Sequence, residues 1–144
     1  LLRNIKLEGI IFECCSGEGH ISKYLPGEVI TNDIITGWDA TNPLYWNIHP
    51  HWTITNPPFS SAFKILNNAL LFSKLGVAFL LRLSFLEPTY ERQLLLCKNP
   101  PNKLIVLPRF SFTEDGRTDL VTCAWMVWDK SGETYIKVVG KGFV

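Results

Sequence analysis

The chain reads as an α/β protein built on a mostly parallel sheet with an antiparallel strand in its C-terminal third. Three observations carry this. Short apolar runs alternate with helical or turn segments through the first two thirds of the 144 residues. The last third turns almost wholly to strand-like runs. Polar turns rich in glycine or proline follow the first and third apolar runs, where such a sheet presents its ligand-binding rim.

The elements follow in order. Gly9–Cys14 (GIIFEC) is an apolar run ending at an acid, and SGEGH follows as a glycine turn, so a buried strand is expected there. Ile21–Leu25 has room for a short helix, stopped by Pro26-Gly27. Glu28–Asn32 reads as a second strand ending at Asp33. Residues 34–51 are irregular, with one short helix expected near Pro43–Ile48. Trp52–Thr55 is a third strand, running into Asn56-Pro57-Pro58-Phe59. Ser60–Ser73 shows helical spacing at Phe63, Leu66, Ala69 and Leu70 behind a serine start. Gly76–Leu83 is an apolar strand and Thr89–Cys97 a helix. Lys103–Leu107 and Leu120–Trp128 are strands, and Thr134–Val139 alternates as an edge strand does.

Composition narrows the class. Apolar residues make up 47% of the chain, which suits one globular domain spanning residues 1–144. No apolar run reaches membrane-spanning length, and the N-terminus carries no signal-peptide pattern. The chain opens on Leu1-Leu2 rather than Met, as a fragment of a longer protein would. None of the four cysteines shows a C-x-x-C spacing, and three lie in apolar stretches, which indicates a reducing, cytoplasmic setting. A net charge of only +1 gives no footprint for strong non-specific nucleic-acid binding, so any such contact is local. His49 and His51 flank Pro50 without a third ligand, and no metal site is expected.

Asn56-Pro57-Pro58-Phe59 has the chemistry of a clamp for a planar group bearing an NH2. The Asn56 amide oxygen can accept one amine proton, and a carbonyl in the Pro57-Pro58 segment, its direction fixed by proline, can accept the other. Phe59 can stack on the flat face. The competing reading is an ordinary strand-to-helix turn. Gly17 and Gly19 permit a tight turn with close backbone approach to a ligand, and a helix beginning near Gly19 would add donors and a positive dipole end. Asp33 lies 20 residues beyond Glu13, where an acid can accept ribose hydroxyl protons. A nicotinamide enzyme fits poorly, because Ser22 stands where the third glycine of G-x-G-x-x-G belongs.

With ECCSGEGH, TNDI, WDAT and TNPPF in that order, the chain resembles the class I S-adenosylmethionine-dependent methyltransferases, and within them the N6-adenine DNA methyltransferases with an NPPF motif. LLRLSFLEP and PRFSFTEDGRTDLVTCAWMVW also resemble small phage-type members. The resemblance implies a Rossmann-like sheet and S-adenosylmethionine as cofactor. It makes Glu13, Cys14, Ser16, Gly17, Gly19 and His20 part of the cofactor's glycine loop, with Glu13 near the methionine end, puts Asp33 on the ribose and Asp39 facing the adenine amine, and counts Ala40 among the cofactor-binding residues. Asn56, Pro57, Pro58 and Phe59 would be the catalytic motif. The family usually has a full helix and strand between the ribose acid and the catalytic strand; WDATNPLYWNIHP is too short for both, so the fold is abbreviated there. No separate target-recognition domain is present, so a partner subunit for target choice is implied.

The implied activity is methyl transfer to an exocyclic amine, adenine N6 in DNA. RNA bases, a protein glutamine amide, or a non-catalytic subunit of a larger complex are the competing readings. For the nucleic-acid substrate, Glu87, Arg109, Phe110, Phe112 and Arg117 are candidates, since arginines beside aromatics suit phosphate contact and base stacking. A hairpin turn at Asp115-Gly116 is the plainer reading of the last four. Arg82, unusual inside an apolar strand, has three readings: a cleft residue, a partner of Glu87, or a side chain that snorkels to water.

Overall fold

The computed structural model describes residues 1–109 and 121–140. Seven strands form one sheet: β1 (Ile11–Glu13), β2 (Val29–Thr31), β3 (Trp52–Thr55), β4 (Gly76–Arg82), β5 (Lys103–Val106), β6 (Cys123–Asp129) and β7 (Tyr135–Val138). Their order across the sheet is β2-β1-β3-β4-β6-β5-β7. β1 pairs in parallel with β2 and β3, and β3 with β4. The antiparallel strand expected in the C-terminal third is β6, which lies between β4 and β5 and opposes both. β7 closes the sheet in parallel with β5. The chain winds from β1 to β2 in one direction and from β3 onward in the other. The β1/β3 boundary is therefore a topological switch point, where open α/β sheets form their ligand crevice.

The period-2 pattern of the strands divides the core between two faces. Phe12, Val77, Phe79, Leu81, Met126 and Trp128 face one side and pack with Ala62, Ile65, Leu66 and Ala69 of α1 (Ala62–Phe72). Those four α1 positions recur at helical spacing, which is why the segment buries one stripe and leaves Leu71 exposed. Ile11, Trp52, Ile54, Ala78 and Val127 face the other side, under Ile5, Leu7, Ile21 and Leu25. Gly76 is fixed by this packing: a Cβ there would fall 2.5 Å from the Trp52 ring.

Three expected elements differ. The helix at Ile21–Leu25 is a single 3-10 turn, Ser22–Tyr24, because Pro26 and Gly27 end it before an α-helical turn can propagate. The helix expected at Thr89–Cys97 is α2, Gln93–Lys98; Thr89–Arg92 is instead a turn, with Arg92 donating to Thr89 Oγ1 (3.0 Å) and Phe85 O (2.9 Å). Residues 34–51 are irregular and without a strand, as expected, but the short helix expected near Pro43–Ile48 is only a 3-10 turn, Pro43–Tyr45, and a second such turn stands at Ile34–Thr36. An aromatic cluster stands there instead. Phe12 meets Trp38 and Trp46 edge-on at 4.9 and 5.4 Å, and Trp46 stacks with Phe72 at 6.1 Å. Among the described residues no helix is long and apolar enough to cross a membrane.

Candidate active site

Four consecutive strands, β2-β1-β3-β4, deliver polar groups at their carboxyl ends. Gly17, Asp33, Asn56, Pro57, Pro58, Phe59 and Arg82, with Cys15, line one cleft of about 480 Å³. A neighbouring pocket of about 110 Å³ shares Cys15, Asp33 and Pro58 with it and adds Trp38, Asp39, Ala40 and Thr41. The glycine turn and the Asn56 amide, 39 positions apart in the chain by their residue numbers (56 − 17), thus converge on one rim of the sheet.

The glycine turn is held from β2. Ser16 donates its amide to Asn32 O (3.0 Å), and Gly19 donates back to Ser16 O (2.8 Å). Gly17 and Gly19 have φ of +50° and +76°, conformations that residues with a Cβ adopt only with strain. A Cβ at Gly17 would meet nothing within 4 Å, so the space over the turn is open. Asp33 Oδ2 accepts from Gly17 N (2.8 Å) and Oδ1 from Ile35 N (3.1 Å). This carboxylate caps the Ile34–Thr36 turn and ties it to the glycine turn, while each oxygen keeps a further lone pair. The dipole end expected from a helix after Gly19 is absent, since one 3-10 turn carries little of it.

Glu13 is 1% exposed at the end of β1. Burial raises its carboxyl above the ordinary range, with Ser22 compensating only in part. Its Oε2 meets no donor among the described residues. Next to it, Cys14 is buried and Cys15 half-buried, with the sulfurs 3.9 Å apart. The hydrogen bond with Cys14 holds the Cys15 thiol below its ordinary value although burial opposes this, whereas burial pushes the Cys14 thiol well up.

Asp39 and Ala40 sit on the aromatic cluster. Asp39 Oδ1 accepts from Thr41 N (2.9 Å) and Thr41 Oγ1 (2.7 Å), which hold its carboxyl below the usual range. Ala40 O receives both Trp46 Nε1 (3.0 Å) and Asn68 Nδ2 (2.9 Å). The missing strand is thus replaced by two side chains anchored in the core and in α1.

In the motif after β3, Pro58 O accepts from Ser61 N (3.1 Å), which turns the chain into α1. The Asn56 side chain and the Pro57 carbonyl meet no hydrogen-bond partner among the described residues. Phe59 is 47% exposed, with the Arg82 guanidinium 4.0 Å from its ring centroid. The site therefore offers two unused acceptors beside an aromatic face at one end, and a glycine turn with an acid at the other.

Other sequence candidates lie apart from the cleft. His20 is solvent-exposed and faces Glu18 at 3.2 Å, and Glu87 is exposed where the Leu83–Leu86 turn ends. Arg109 is exposed; Phe110, Phe112 and Arg117 lie outside the described residues. His51 has a structural use, its Nδ1 accepting from Ile10 N (3.0 Å). Cys15, Thr41 and Asn68 were not singled out by sequence as cleft or anchoring residues; Arg82, whose three readings stood level, is in the cleft and forms no ion pair with Glu87.

No family model and no curated protein sequence matches the chain. A crystal structure does: a chain assigned as a modification subunit of a type I restriction enzyme from Vibrio vulnificus YJ016, with a TM-score of 0.58 and 14% identity. The match covers 92% of this chain and 43% of that one, so this chain spans less than half the length of the subunit it resembles. The two share a fold. That fold is a Rossmann-like, mostly parallel α/β sheet, here with only turns between β2 and β3.

Proposed function

We propose that the chain is an S-adenosylmethionine-dependent N-methyltransferase whose acceptor is an exocyclic amine, adenine N6 in DNA. One observation carries the reading: the unpartnered Asn56 amide and the Gly17–Asp33 turn line a single cleft at the switch point of the sheet.

The residues present fit the cofactor. Glu13 Oε2, buried and without a donor, lacks the kind of partner that the cofactor's ammonium group would be. The open space over Gly17 admits close backbone approach, and the Glu18 amide there has no partner among the described residues. Asp33 would accept ribose hydroxyl protons on its remaining lone pairs, a role that its existing backbone bonds pre-orient. The 110 Å³ pocket beside Trp38, with Asp39 and Ala40 on its wall, would take the adenine ring.

Bound S-adenosylmethionine supplies an already activated sulfonium methyl group. The chain supplies alignment and charge placement. Asn56 Oδ1 and Pro57 O would each accept one proton of the acceptor amine, which favours the pyramidal nitrogen needed to attack the methyl carbon. Phe59 would stack on the acceptor base, which must leave its helix to reach this depth. The amine loses a proton to water after transfer, so no general base is required during it. The neighbour in fold is a subunit of a larger enzyme, and target choice by a partner subunit belongs to the same proposal.

The test offers labelled S-adenosylmethionine with DNA, RNA and protein in parallel. Label in DNA that digests to N6-methyl-2′-deoxyadenosine is expected. Label confined to RNA or protein overturns the acceptor, and no label anywhere overturns the transfer.

A further inference from the structure

Along the rim the groups stand in strand order: Asp33 after β2, Gly17 after β1, Asn56 after β3, and Arg82 at the end of β4. Neighbouring strands are about 4.8 Å apart, so β4 ends roughly 10 Å from β1, beyond Asn56 and away from the glycine turn. β4 is otherwise apolar (GVAFLL), and only its last residue is charged.

The Arg82 side chain is unusual in what it does not do. A guanidinium carries five N–H donors in a fixed fork. None of the five meets an acceptor among the described residues, and Arg82 forms no ion pair there. Its contact is the face of Phe59, 4.0 Å from guanidinium carbon to ring centroid. That geometry is a cation–π stack, which holds the planar fork at a set tilt without consuming its donors. The result is a positive charge with an unused bidentate donor edge, walled into the cleft. Its natural partner is an oxyanion that takes two parallel hydrogen bonds.

We propose that Arg82 binds a backbone phosphate next to the target base and so positions the acceptor nucleotide against Asn56. The proposal rests on the reading above that the acceptor amine sits at Asn56. It favours a nucleotide over a protein glutamine, whose side chain carries no anion. The cofactor carboxylate is a second source of the same chemistry, but strand order puts the glycine turn two strands away from Arg82.

The experiment measures anisotropy of a short fluorescein-labelled single-stranded oligodeoxynucleotide titrated with the whole chain in the presence of S-adenosylhomocysteine. Arg82→Gln is expected to weaken binding about tenfold and to reduce the magnitude of the log-affinity against log-salt slope by about 0.7, the share of one phosphate contact on a single strand. Arg82→Lys, which keeps charge but not the fork, falls between. A neutral methylphosphonate linkage beside the target adenine reproduces the loss with unaltered protein, and adds nothing to it in Arg82→Gln. Calorimetric affinity for S-adenosylhomocysteine stays within about twofold, because no cofactor contact is removed. Equal oligonucleotide binding by wild type and Arg82→Gln, no binding by wild type, or a loss confined to S-adenosylhomocysteine each overturns the proposal. Arg82-dependent binding without methyl transfer to any nucleic acid would leave this phosphate site standing and overturn the transferase reading instead.

Discussion

The Gly17 amide donates to Asp33 Oδ2 at 2.8 Å, joining the turn after β1 to the turn after β2 across sixteen residues of chain. The bond fixes the glycine turn from outside itself, through a carboxylate that also caps the next turn.

Asp33→Ala should therefore cost affinity in two ways, by removing a ligand acceptor and by releasing Gly17. Hydrogen bonds to a charged group contribute about 1.5–3 kcal/mol each, so S-adenosylhomocysteine should bind about ten- to a hundredfold more weakly by calorimetry. Unchanged affinity would reject the role of Asp33 at the ribose.

Asn56→Ala should separate binding from transfer. The Asn56 side chain supports no described part of the fold, so folding and cofactor affinity should hold. Loss of one preorganised transition-state contact costs about a hundredfold or more in kcat. A variant with wild-type turnover on the methylated substrate would defeat the clamp mechanism.

Cys15 lines both the cleft and the adjoining pocket, and its thiol is held below its ordinary value while that of Cys14 is raised. Iodoacetamide should modify Cys15 ahead of Cys14, and S-adenosylhomocysteine should slow that reaction. The exposed Cys97 would react regardless, so Cys15→Ser should remove the cofactor-protected fraction. Labelling indifferent to the ligand would place the cofactor elsewhere.

The opposite rim carries the acid sensitivity. Lys103, 3% exposed, meets Asp129 at 2.7 Å and Glu133 at 3.1 Å. Burial alone would raise the Asp129 carboxyl, but hydrogen bonds from Lys103, Ser131 and Asn102 outweigh it and hold the group at about 2. The folded value is below the ordinary one of 3.8, so the stabilisation is complete above that pH and fades as pH falls from there toward 2. Asp129→Asn should flatten this limb of a urea-monitored pH profile. At neutral pH it should cost about 3 kcal/mol, the low end for stranding a buried charge, because Glu133 remains.

Gly76→Ala tests the packing of β3 on β4. A new Cβ would lie 2.5 Å from the Trp52 ring and 2.9 Å from Trp128 O, and overpacking of this kind costs about 1–3 kcal/mol. A thermal midpoint equal to wild type would show that Trp52 can move aside.

Most of the sheet was legible because each central strand is a short apolar run ended by glycine, proline or a polar residue. Trp52–Thr55 was bounded to the residue, and β4 to within one. Segments without an apolar period were not legible. The turns at Ile34–Thr36 and Leu83–Leu86 depend on caps and on contacts far along the chain, such as Leu83 N to Thr122 O. At the cleft, sequence brought out residues whose side-chain chemistry is distinctive, such as Asn56 and Asp33. It could not rank the readings of Arg82, since a guanidinium at a strand end suits the cleft, Glu87 and water equally until Phe59 is placed beside it. Nor could it find Asn68, a polar helix position whose partner, Ala40 O, offers no side-chain clue.

The aromatic cluster between β2 and β3 bears on how far such a fold can be pared down. A strand and a helix are absent, yet the Asp39–Ala40 wall stands where it does because Trp46 and Asn68 grip one carbonyl. The rim of such a sheet depends on the tips of its strands more than on their number, and a few well-seated indoles can hold a tip in place. The stretch between two strands can therefore be cut to a pair of turns while the rim beside it keeps its shape.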